Sequence, residues 1–214
     1  DMNIIISEGE VLNSKITSGK VSIPKFSSDN TILGIDLEIQ GLAEDLLRYI
    51  DYKNPYNKNL KNFYNGNSIT DLKIALNLSK KEITLKDSSI AIKSKISNSN
   101  TNIIEGDSWL ELENKKGKED FEIQIKSTKK LKAFSLIYEN NPINQISLNV
   151  LSKNNKIYLS NIKTNDKHFF SSAVFNKKTK NIEYFDISNQ NLNFNSEYSN
   201  NKMSLFFNTS YLNP

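Results

Sequence analysis

Few residues in this chain of 214 could carry out chemistry. There is no cysteine, and the only histidine, His168, has no cluster of Asp or Glu near it, so the sequence does not predict a metal site. Glu44, Asp45 and Asp51 could form an acid pair, but helical spacing and compensation of a helix dipole explain them more simply. We find no serine nucleophile elbow, phosphate loop, HExxH motif or kinase motif set. We therefore expect a non-enzymatic protein with no cofactor and no metal.

The pattern that does recur is alternation of apolar and polar residues, which is typical of β-strands with one buried face. Short polar separators between the segments read as hairpin turns, so we expect a mostly antiparallel meander. Pro24 favours an edge or a bulge at its position, and Trp109 is expected to begin a strand as a core or rim anchor. The predicted strands are residues 3–6, 20–26, 31–40, 71–78, 82–86, 90–96, 109–113, 121–126, 131–138, 146–151, 156–160, 169–175, 182–187, 192–198 and 203–211.

One stretch, residues 41 to 66, departs from this pattern. It predicts a short amphipathic helix near residues 41–51, because apolar residues recur there at helical spacing and acidic residues lie in the first turn. Pro55 closes the segment. The face of this helix is expected to hold Leu42, Leu46, Leu47 and Ile50, with Glu44, Asp45 and Arg48 off that face.

The apolar face of so many strands must be buried or must meet something apolar. A helix this short cannot cover it. Four arrangements remain open: a sandwich of two sheets, a closed soluble barrel, a membrane barrel, or a long curled groove whose inner face binds acyl chains. The membrane barrel fits least well, since several strands are short and aromatic residues do not recur at strand ends.

If the sheet forms a groove, the residues that line it are ordinary aliphatic side chains. Each CH₂ of an acyl chain that leaves water gains about 0.8 kcal/mol. In a closed core the same residues would pack against one another. The predicted lipid-binding residues are Leu37, Ile39, Ile74, Leu76, Ile83, Leu85, Ile90, Ile92, Ile123 and Ile125.

Charge and composition narrow the partners. The net charge is +4, with 28 basic and 24 acidic residues interleaved along the chain. Nucleic-acid binding surfaces more often cluster their basic residues, so we expect no nucleic-acid partner. The sequence has no apolar run long enough to span a membrane, no signal-peptide pattern and no linker long enough to divide domains. We expect residues 1–214 to be a single β-rich segment excised from a longer protein.

The order of parts between residues 20 and 98 resembles the AsmA-like superfamily of bacterial envelope proteins, the AsmA, TamB and YhdP type. The resemblance consists of a strand pair, a Gly, a leucine-rich segment that ends at Pro, a second Gly and a strand of alternating aliphatics. The residues that carry it are Leu37, Ile39, Gly41, Asp45, Leu46, Leu47, Ile50, Asp51, Pro55, Gly66, Leu72, Ile74, Leu76 and Leu78.

This resemblance implies a bridge-like lipid-transfer protein. It implies a long twisted sheet with an apolar groove, located in the periplasm of a Gram-negative bacterium as part of a protein anchored in the inner membrane. The implied partners are phospholipid acyl chains and the inner and outer membranes or their proteins. The implied function is phospholipid transport between the two membranes or support of outer-membrane assembly. A structural or adhesive β-sandwich with a closed core is the alternative.

Overall fold

A computed structural model describes residues 1–24, 31–45, 65–79, 88–101, 105–114, 120–129, 131, 144–164, 170–179, 181–188, 192–199 and 202–209. These residues form fourteen β-strands that all belong to one sheet. The strands are β1 (Met2–Ile6), β2 (Gly9–Val11), β3 (Ser14–Ile23), β4 (Ile32–Leu42), β5 (Asn67–Asn77), β6 (Ser88–Asn100), β7 (Glu105–Asn114), β8 (Asp120–Ser127), β9 (Gln145–Lys153), β10 (Lys156–Thr164), β11 (Phe170–Asn176), β12 (Asn181–Ser188), β13 (Leu192–Ser199) and β14 (Lys202–Thr209).

The sheet is a meander. From β3 to β14 each strand pairs antiparallel with the next, while β1 and β2 lie one after the other along the outer side of β3. The first and last strands are not paired with each other in the described part of the chain, so the sheet is open. The predicted mostly β, antiparallel meander is therefore confirmed, and its described strands form one sheet rather than two.

Asparagine accounts for several turns and irregularities of the meander. Asn154 and Asn155 both have positive φ, at 50° and 60°, and connect β9 to β10 by the two-residue turn that suits the twist of a hairpin. Asn98 and Asn161, also at positive φ, lie where β6 and β10 shift register against their neighbours. Asn tolerates this left-handed conformation better than most residues, so part of the Asn content has a structural use.

From β3 to β10 the register places the alternating aliphatics on one face, the apolar face, and the charged side chains on the other, the polar face. On the polar face, charged residues of opposite sign meet across strands: Lys73 lies opposite Asp36 with a 3.8 Å ion pair, and Lys93 lies between Asp71 and Glu111. These exposed pairs contribute little to stability, but they make this face compatible with water. The opposite face of β3 to β10 carries no charged side chain among the described strand residues.

The helix predicted near residues 41–51 does not begin at Gly41. Gly41 and Leu42 are strand residues, because β4 continues to pair with β5 until Leu42 meets Asn67. Leu42 is 44% exposed, whereas Asp45 is fully buried, the reverse of the predicted assignment to faces. Only Ala43–Asp45 are described as helical, and residues 46–64 lie outside the described ranges.

Other predictions have mixed outcomes. β7 begins at Glu105 rather than at Trp109. The Trp109 side chain is exposed on the polar face, where the register places it between Lys95 and Lys126. The prediction of Trp109 as a core or rim anchor is therefore wrong. Pro24, which was predicted to lie at an edge or a bulge, directly follows Ile23, the last residue of β3. The predicted strand at 82–86 and His168 lie outside the described residues, as does the predicted strand at 131–138 except for Leu131, which is described but is not part of a strand. No helix within the described ranges has the length and apolar character needed to span a bilayer.

Candidate functional site: the apolar face of the sheet

The apolar face brings together the predicted lipid-binding residues that the structure describes. All eight point to the same side, because the register joins them in rows that run across the strands. Ile39 and Ile92 are buried, and the other six are half-buried. The eight residues are Leu37, Ile39, Ile74, Leu76, Ile90, Ile92, Ile123 and Ile125. Ile83 and Leu85 lie outside the described residues.

One end of this face is covered. The segment that follows β4 turns over the sheet: Ala43 N donates a 2.9 Å hydrogen bond to Gly66 O, and Ser14 Oγ donates a 2.9 Å hydrogen bond to Asp45 Oδ2. Leu131, which follows β8, joins the same cluster of buried residues. We call this region the closed end, and it comprises Ser14, Ile39, Ala43, Asp45, Ser68, Thr70, Ser94, Ile96, Ser108, Leu110, Ser127, Leu131, Ile146 and Thr164.

The two glycines of the predicted motif have structural roles at the closed end. A methyl group at Gly41 would lie 2.5 Å from Ser14 Cβ and 2.9 Å from Ser14 Cα, so only glycine lets β3 and β4 approach as they do. Gly66 has a φ of +102°, which side chains of other residues rarely allow. Both positions lie where the chain leaves β4 and enters β5, so they shape the cover of the closed end.

Hydroxyl side chains are frequent at the closed end. Thr70 and Ser94 lie opposite each other in the register and share a buried 2.8 Å hydrogen bond. Ser68 Oγ donates to Gly41 O at 3.4 Å, and Ser127 Oγ donates to Glu105 O at 3.4 Å. Buried hydroxyls are tolerated when they are hydrogen-bonded, so these residues fit a covered region with little space above the strands.

A second row of the same face is much less covered. It crosses ten strands, from β3 to β12, and nine of its ten residues are apolar and half-buried. At its β1 side the face continues to Ile4, which is 48% exposed. We call this set the open row, and it comprises Val21, Ile35, Ile74, Ile90, Asn114, Phe121, Val150, Leu159, Ala173 and Phe185.

Asn114 is the exception in the open row, and sequence reasoning missed it. It is 2% exposed, and its Oδ1 accepts a 2.5 Å hydrogen bond from Ile90 N. The paired ladder between β6 and β7 ends one position earlier, where Ala91 meets Glu113, so the side chain continues the ladder where the backbone pairing stops. A polar residue at the apolar position of the alternating WLELEN segment was the available signal.

The arrangement presents an apolar surface of aliphatic and aromatic side chains. No group of three or more potential metal ligands occurs in the described ranges. Within the described ranges, the ionisable groups with a shifted pKa are Lys156 and Glu183, whose side chains form a 2.6 Å ion pair. The hydrogen bond between them raises the pKa of Lys156 and lowers that of Glu183, which also accepts a hydrogen bond from Asn176. The pair is partly exposed and has the character of a structural contact.

Comparisons of the chain with family models, with curated proteins and with solved structures found no match.

Proposed function

We propose that the chain is a non-enzymatic lipid-binding segment of an AsmA-like protein, and that acyl chains of phospholipids lie against the open row. The observation that carries this proposal is the open row itself. Large aliphatic side chains such as Ile74 and Leu159 stay half-buried on a continuous face, although removing them from water would be favourable. A ligand that supplies the missing apolar cover explains why the fold leaves them there.

The composition of the face supports a mobile apolar ligand. No charged side chain projects from the apolar face of β3 to β10 among the described residues, so an acyl chain would meet aliphatic groups along several strands. Contacts of this kind are non-directional, which allows a chain to move along the row without breaking specific bonds. Together with the resemblance of residues 20–98, this supports phospholipid transport between the inner and outer membranes, or support of outer-membrane assembly, in the periplasm.

Site-specific photocrosslinking tests the proposal. A photoreactive residue replaces Ile74 or Ile123 on the apolar face, and matched controls replace their chain neighbours Lys73 and Gln124, which point to the polar face. The full chain is directed to the periplasm of a Gram-negative host, irradiated, and analysed by mass spectrometry. We expect phospholipid adducts at Ile74 and Ile123 and none at the two controls.

The closed-core alternative gives a different result. If neither Ile74 nor Ile123 captures lipid, and single cysteines placed at both positions react with a maleimide as slowly as one at Ile96, the face is packed against protein and the lipid-binding proposal is wrong. Capture at all four positions would indicate non-specific association and would also count against it.

A further inference from the structure

Asn114 is a polar group with an unused donor in the middle of the open row. Its Nδ2 is buried and has no hydrogen-bond partner among the described residues. Exchanging the two ends of the amide does not remedy this, because the Ile90 N–H requires the oxygen as its acceptor. A buried donor without an acceptor is unfavourable by about 1–3 kcal/mol, so this side chain is expected to have a use.

The surroundings of Asn114 define what it could bind. Its neighbours in the row are Ile90 and Phe121, followed by Ile74 on one side and Val150 on the other. Alternation along β7 places Asn114 on the apolar face, and its Nδ2 is buried among these neighbours. An acceptor on that face therefore reaches Nδ2 only when the side chains of Ile90 and Phe121 move aside. With strands about 4.8 Å apart, the apolar row extends roughly 20 Å to each side of Asn114, which is the scale of a long acyl chain.

The side chains of the apolar face also indicate whether the acceptor for Asn114 Nδ2 is charged or neutral. No cationic side chain projects from the apolar face of the described strands β3 to β10, so a phosphate or carboxylate near Asn114 would lose water without gaining a counter-charge. A neutral carbonyl oxygen loses much less. It can accept one hydrogen bond while the chain attached to it covers the neighbouring aliphatics.

We infer that Asn114 is a lipid-binding residue whose Nδ2 donates a hydrogen bond to the ester carbonyl oxygen of a glycerolipid lying along the open row. This inference rests on the proposed function and deepens it, because it assigns a point along the row where the acyl linkage is held. Elsewhere the row recognises only apolar surface, so Asn114 would set the position of the lipid rather than supply most of its affinity.

A pair of lipids that differ only in the linkage tests the inference without altering the protein. Vesicles contain equal amounts of a diacyl phosphatidylethanolamine and of the dialkyl ether analogue, which has the same chain length and headgroup but no carbonyl. The full chain is incubated with them and purified again, and the bound lipids are quantified by mass spectrometry. We expect the ester lipid to be enriched about three- to tenfold over the ether, the effect of one hydrogen bond.

Two variants test whether Asn114 is the source of the preference for the ester lipid. Asn114→Asp keeps the acceptor for Ile90 N–H but replaces the Nδ2 donor, so it should bring the ester-to-ether ratio close to one. Asn77→Asp is the matched control: Asn77 is also buried, and its Oδ1 accepts a 3.0 Å hydrogen bond from Ser79 N, but it lies on the other face. The control should keep the wild-type ratio. In the wild type, the Asn114 side-chain amide resonance should shift with the ester lipid and not with the ether.

The outcomes separate this inference from the proposed function. If both lipids bind equally to the wild type, the lipid-binding proposal stands and the role of Asn114 is wrong. If Asn77→Asp removes the preference as well, Asn114 is not its source and the inference is again overturned. If neither lipid binds, both the proposed function and the inference fail.

Discussion

The closed end and the open row lie on the same face of the sheet. The closed end is the more buried of the two, yet the open row is the more apolar. The closed end is almost completely buried although half of its members carry hydroxyl groups. The open row is almost entirely apolar although nine of its members are only half-buried. In a face that serves only as a core, the largest aliphatics would be the most buried residues.

The difference between the two regions comes from what lies over them. Ala43–Asp45 and Leu131 cover the closed end, and small hydroxyl residues leave room for this cover while they satisfy their own hydrogen bonds. Over the open row, the described strands provide no equivalent cover. The comparison therefore distinguishes a covered region from one that the described residues leave half-exposed.

The largest expected effect is the loss of stability when the closed end loses a fully buried side chain. Ile96 is 0% exposed, so Ile96→Ala should lower the free energy of unfolding by about 2–5 kcal/mol. Ile74→Ala removes the same atoms from the open row, where they are half-exposed, and should cost about 1 kcal/mol. Urea denaturation of both variants measures the difference. Equal losses would show that the open row is packed as a core too.

A smaller loss of stability is expected when a methyl group is added at a tightly packed glycine. Gly41→Ala places a methyl group 2.5 Å from Ser14 Cβ and should destabilise the protein by about 1–3 kcal/mol. In the same strand, a methyl group at Gly34 would lie 2.8 Å from Ser22 Oγ, a hydroxyl that can rotate away, and 3.7 Å from the Ser22 backbone oxygen, so Gly34→Ala should change stability by less than about 0.5 kcal/mol. Thermal unfolding of the pair compares them. A tolerated alanine at Gly41 would mean that the cover of the closed end is loosely fitted.

The smallest effect is expected away from both regions, at the ion pair between Lys156 and Glu183. Because the pKa of Glu183 is lowered in the folded protein, chiefly by its hydrogen bond from Lys156, its contribution to stability is present above the ordinary Glu pKa. That contribution is lost as the pH falls through the folded-state pKa.

Carboxyl NMR titration checks this assignment. The Glu183 resonance should titrate below pH 4.5 in the wild type and move upward in Lys156→Met. The Glu183→Gln variant should change stability at neutral pH less than any closed-end substitution, as expected for exposed charges. An unchanged Glu183 titration in Lys156→Met would remove the ion pair as the cause.

The alternation of residue types was sufficient to predict most of the described strands, although not β2 or the first part of β3, and the shared face of the eight described lining residues. Ile74 and Leu76, or Ile123 and Ile125, had to share a face because successive side chains of a strand point to opposite sides. The same local rule assigned Lys73 and Gln124 to the other face. Short polar separators indicated hairpins, and hence the meander, since a tight turn can join only antiparallel neighbours.

Tertiary structure alone decided where that face is covered. Periodicity did not reveal that β4 would extend to Leu42, since the pairing with Asn67 outweighed the helical spacing. It also did not show that Asp45 would turn inward to Ser14, 31 positions earlier in the chain. Register across strands then placed Asn114 among aliphatics. Local sequence thus determined which side chains face inward, whereas contacts between distant segments determined which of them are enclosed.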